Sequence, residues 1–169
     1  MSGLSTSENH SRQPSPPDSG TVLVLGSTPP VLSGSIRYLP FSEAAGLPLL
    51  RHSKLGLFGA GNGAEKALAW ALQHPNDLHA LVLWNLKVVP KRPPSPSFSV
   101  PTLLLVTGKT ATHAAASLLQ RLPGERRLFR ISFGAPLRQE EEAERFAHRW
   151  FDYYLRNDRE FEKWMVDGL

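Results

Sequence analysis

The run Leu55-Gly56-Leu57-Phe58-Gly59-Ala60-Gly61-Asn62-Gly63-Ala64 restricts the folds open to this chain more than any other stretch. An apolar strand runs into three alternating glycines and then directly into a helix. A buried strand that gives way so abruptly to a helix belongs to βαβ architecture, in which the connecting helix lies back over a parallel sheet. The rest of the sequence repeats the same alternation. Thr21–Leu25 is a continuous aliphatic run ending at Gly26, as expected of a strand buried on both faces. Lys54–Phe58, His79–Trp84, Thr102–Val106 and Leu128–Ile131 read as further strands, and Leu47–Leu50 as a short one weakened by Pro48.

Helical spacing predicts helices over Gly63–His74, stopped by Pro75, and over Ala111–Leu122, closed by Pro123-Gly124. A long amphipathic helix is predicted over Arg138–Asn157. Its apolar stripe is Ala143, Phe146, Ala147, Trp150, Phe151 and Tyr154, and Glu140, Glu141 and Glu142 fall in its first turn. Asp158 is placed to cap a last short helix through Trp164. The expected fold is therefore α/β, a three-layer sandwich with a mainly parallel sheet. Strand C-terminal ends then share one edge, where ligand sites lie. Gly26, Gly59–Gly63 and Gly108 all fall on that edge.

Residues 1–20 are rich in Ser, Pro and Gly and offer almost no apolar side chain, so a disordered tail is expected before a domain spanning 21–169. Neither a signal peptide nor a membrane span is legible, which favours a cytoplasmic protein. The chain has no cysteine, which excludes disulfides and thiolate chemistry. No metal site and no cofactor are expected. The formal net charge is +4, from basic residues such as Lys87, Lys91, Arg92, Arg121, Arg126, Arg127 and Arg130. No aromatic stacking motif sits among them, so nucleic acid is not an expected partner.

Several segments resemble α/β-hydrolases of the prolyl-oligopeptidase and dienelactone-hydrolase type. Gly59-x-Gly61-x-Gly63 stands where the family carries G-x-S-x-G, its serine nucleophile at the apex of a strained strand-to-helix elbow. Gln73–Leu83, Val100–Gly108 and Phe151–Leu155 resemble the family's next helix end and strand, the strand before its acid, and its C-terminal helix. The resemblance implies a shortened α/β-hydrolase-like domain. It also implies where a triad would stand: nucleophile at Gly61, acid at Ala111, histidine near Ala135 or Pro136. None of these residues can act as nucleophile, base or orienting acid.

The expected function is that of a catalytically inactive pseudo-hydrolase, active in ligand binding or protein interaction. Its vestigial pocket would comprise Gly26, Ser27, Gly61 and Asn62, with backbone N–H groups at a helix N-terminus able to hold a small carbonyl or carboxylate. Two alternatives stay open. Gly59-x-Gly61-x-x-Ala64 also fits the dinucleotide fingerprint. An active serine hydrolase or esterase with a displaced nucleophile is the other.

Overall fold

A computed structural model describes residues 20–26, 36–41, 54–131, 136–160 and 162–163. Its elements are β1 (Thr21–Leu25), β2 (Arg37–Pro40), β3 (Leu55–Ala60), α1 (Asn62–Gln73), β4 (Ala80–Trp84), β5 (Thr102–Val106), α2 (Lys109–Arg121), β6 (Arg126–Arg130) and α3 (Pro136–Arg156). The strands form one sheet in the order β2-β1-β3-β4-β5-β6, and every pairing is parallel.

Strict alternation along the central strands sorts their side chains onto two faces. Leu23, Leu57, Leu81, Leu83 and Leu104 join one core with Ala64, Leu68 and Ala71 of α1 and Ala115 and Leu118 of α2. Val22, Phe58, Val82, Leu103 and Leu105 join the other with Ala147, Trp150 and Phe151 of α3. The result is the expected three-layer α/β arrangement. Burial on both faces is why these strands read as unbroken apolar runs.

Some elements differ from the expectation, and others cannot be compared with it. β2 occupies Arg37–Pro40, which the apolar pattern did not mark; as an edge strand paired only with β1 it accommodates a proline. The strand expected at Leu47–Leu50 lies outside the described residues, as do residues 1–19 of the expected tail. α3 begins at Pro136, with proline at the first helical position, so Glu140–Glu142 stand in the second turn rather than the first. At the far edge, β6 is Arg126–Arg130, in register with β5 from Thr102 opposite Arg126. Its Arg126, Arg127 and Arg130 are exposed, as suits an edge strand. Beyond α3, the Glu160 N–H donates to Asp158 Oδ1 at 3.0 Å, the expected capping contact.

α3 is tied to the β2 edge by a polar chain. Tyr38 Oη lies 2.9 Å from His148 Nδ1, His148 Nε2 lies 3.2 Å from Asp152 Oδ2, and Arg156 Nη1 donates to Asp152 Oδ1 at 2.9 Å. Burial, reinforced by the Asp152 and Glu144 carboxylates, pushes the Tyr38 phenol well above its usual range. The Tyr38 hydroxyl therefore stays protonated, and the tautomer of His148 sets the direction of their hydrogen bond. Among the described residues no helix is long and apolar enough to cross a membrane, and no group of three His, Asp or Glu is placed to hold a metal ion.

Candidate functional site

The turn from β3 to α1 takes one residue. The Gly61 N–H still donates to the Trp84 carbonyl of β4 at 2.9 Å, while the Gly61 carbonyl already accepts from the Ala64 N–H at 3.0 Å. Between these bonds the backbone turns at φ 54°, ψ −122°, a region that a side-chain-bearing residue enters only at a cost. The three glycines answer different demands. A Cβ on Gly59 would stand 2.6 Å from Ala67 Cβ, and one on Gly63 would collide with the Leu25 carbonyl. Those two let α1 pack close against β3 and β1. A Cβ on Gly61 would meet nothing within 4 Å. The apex therefore points into open space, as the apex of a hydrolase elbow does.

That space is an open cleft of about 370 Å3 above the C-terminal ends of β3, β4 and β5. Gly61 and Pro136 line it, together with Trp84, Asn85, Lys87, Thr107, Gln139 and Glu140. The Asn85–Thr107 pair forms its polar floor. Asn85 takes a left-handed conformation (φ 54°) that asparagine tolerates, and its amide clasps the neighbouring strand end. The Thr107 N–H donates to Asn85 Oδ1 at 2.9 Å, and Asn85 Nδ2 donates to Thr107 Oγ1 at 2.7 Å. Lys87 and Glu140 place opposite charges at the rim.

The structure brings together only some of the residues singled out in the sequence. Gly26 lies beside β3's end, where its Cβ would stand 2.7 Å from the Ala60 carbonyl, but it does not line the cleft. Asn62 is exposed at the first position of α1 and does not line the cleft either. Ser27 and Ala135 lie outside the described residues. Ala111, in the first turn of α2, is buried in the core and does not line the cleft. The polar residues of the cleft went unread because they come from the segments after β4 and β5 and from α3, and no spacing in the sequence joins the three.

The geometry limits the chemistry. Thr107 is the one hydroxyl residue among the described lining residues, and its oxygen is held by a carboxamide, which cannot take a proton from it. No histidine is among them. The dinucleotide reading fares no better. A one-residue turn leaves little loop to wrap a pyrophosphate, and β4 ends in Trp84-Asn85 without the carboxylate that would meet a ribose.

Sheet, helices and elbow together define a three-layer α/β protein with a hydrolase-like fold. Among solved structures the chain is similar to a dienelactone hydrolase from Anabaena variabilis ATCC 29413. The TM-score is 0.59 at 22% sequence identity, over 83% of this chain and 88% of that chain. At that identity the likeness is one of fold. No family model and no curated protein matches the sequence.

Proposed function

We propose that this chain is a catalytically inactive member of the hydrolase-like fold, whose cleft over Gly61 serves as a binding site for a small carbonyl or carboxylate ligand. The observation that carries the reading is the apex itself. Gly61 holds the elbow conformation with open space above it and has no nucleophile to put there. What the fold retains is backbone polarity. The first amides of α1, at Asn62 and Gly63, border the cleft next to Gly61 rather than lining it, precede any helical carbonyl that could accept from them and lie at the positive end of the helix dipole. The Lys87 ammonium at the rim suits a carboxylate, and the Asn85–Thr107 pair supplies neutral donors and acceptors beneath it.

Two measurements test this reading. A fluorophosphonate probe reacts only with an activated serine, so the chain is expected to stay unlabelled; stoichiometric labelling would overturn the inactivity and locate a displaced nucleophile. Small carboxylates are expected to shift the amide resonances of Gly61 and Asn62 and the Trp84 fluorescence saturably. Saturable NADH binding at the same resonances would instead favour the dinucleotide reading.

A further inference from the structure

Charge is unevenly spread along this chain. No aspartate or glutamate occurs between Asp77 and Glu125, yet Lys87, Lys91, Arg92, Lys109, His113 and Arg121 all fall there. The fold collects these residues along one seam. On α2, Lys109, His113, Ser117 and Arg121 recur every fourth residue and so form a single stripe. Opposite lies the loop that follows β4. Lys87 and Val89 of the loop and Lys109, His113, Ala114 and Ser117 of the helix line an open groove of about 580 Å3. Farther along α2, Arg121 Nη2 donates to the Lys91 carbonyl at 3.0 Å, which closes the far end of the seam and leaves the guanidinium charge in place. Lys87, Lys91, Arg92, Lys109 and His113 are exposed, and Val88 beside them is 63% exposed.

We propose that this seam docks an extended acidic peptide segment of a partner protein, one that carries apolar side chains among its acids. The dimensions fit. α2 has 13 residues, so its stripe runs about 20 Å, the reach of about six residues of extended chain. The pattern fits as well: cations stand at both ends, Lys87 with Lys109 at one and Arg121, bonded to the Lys91 carbonyl, at the other, with Val89 and Ala114 between them. A free phosphate needs donors that converge on one point, whereas these cations are spread along the seam. A single-stranded nucleic acid is held by aromatic stacking platforms, and no Phe, Tyr or Trp is among the described residues that line the groove, where His113 is the one ring. Single exposed ion pairs contribute little, so affinity arises from several together and falls with salt. The inference does not depend on the reading of the Gly61 cleft, which meets this groove only at Lys87.

The test is fluorescence anisotropy of a fluorescein-labelled octapeptide of alternating Glu and Leu, titrated with the full chain. Saturable binding is expected, weakened at least about tenfold by the double change Lys109→Glu, Arg121→Glu and by raising salt from about 0.05 M to 0.5 M. Lys91→Glu with Arg92→Glu, in the loop, is expected to act the same way and stands in should the helix variant fail to fold. Arg145→Glu, exposed on α3 across the sheet, should leave binding unchanged. The proposal is overturned if the peptide does not bind, if neither double variant weakens it, or if a single-stranded oligonucleotide of equal charge binds more tightly than the peptide.

Discussion

Gly61 and Gly63 stand two residues apart, yet replacing them should have different consequences. Gly61→Ala meets no neighbour, so its cost is backbone strain alone, about 1–2 kcal/mol. Gly63→Ala drives a methyl group into the Leu25 carbonyl, which neither β1 nor α1 can move away from cheaply, and should cost about 3 kcal/mol or more. Urea denaturation of the two variants measures the difference; equal losses would contradict the packing described for the elbow. Gly61→Ser should fold with a loss close to that of Gly61→Ala. It should remain without esterase activity on p-nitrophenyl acetate, because no histidine is among the described residues that line the cleft and the Glu140 carboxylate is too weak a base to take a serine proton.

His79 makes a second prediction at this scale. The Leu55 N–H donates to its Nδ1 at 3.2 Å, which requires that nitrogen to be unprotonated. His79 is largely exposed, and the partial desolvation of its ring, with the Lys54 ammonium adding to it, holds the imidazole below the ordinary histidine range. The unfolded chain therefore takes up the proton first as pH falls. The stability this contact contributes is present above about pH 6.5 and is lost as pH drops through that value toward the folded one. The melting temperature of the native chain should fall between about pH 7.5 and pH 5.5 by more than that of His79→Gln; parallel declines would remove His79 from the account.

Among the elements, α3 carries one whole face of the sheet. Its buried residues Ala143, Ala147, Trp150, Phe151 and Leu155 follow helical spacing, and Phe151 lies over β3 where Gly56 leaves room for its ring: a Cβ on Gly56 would stand 2.7 Å from Phe151 Cε1. Phe151→Ala should cost about 3–5 kcal/mol, because the rigid sheet beneath cannot collapse into the space. Tyr38→Phe removes the hydroxyl that links β2 to His148 and should cost about 1 kcal/mol. Hydrogen exchange should then show faster opening of β2 and β1 with little change in β5, since β2 pairs only with β1.

The whole molecule is one sheet shared by two cores, so unfolding either core exposes the common strands. Leu68→Ala on the α1 side should therefore lower the stability of the entire domain, by about 3 kcal/mol. Circular dichroism and tryptophan fluorescence, which report on Trp70 in one core and Trp150 in the other, should give coincident transitions for both this variant and the native chain. Separate transitions would mean that the two layers unfold independently.

The sequence by itself determined the class of fold, the central strands and the elbow. Burial on both faces forces a continuous apolar run, and a one-residue turn against a packed helix demands glycine at fixed spacing; both are local signatures. Edge strand β2 carried no such mark, because a strand paired on one side needs neither an apolar run nor freedom from proline. The cleft was decided only in three dimensions. Trp84 with Asn85, Thr107 and Glu140 come from three separate places in the chain and meet because parallel strands end together on one edge, beneath the start of α3. The basic seam has the same origin. Its charges are legible one by one, but their alignment depends on the close approach of α2 to the loop after β4, a contact that no spacing in the sequence encodes.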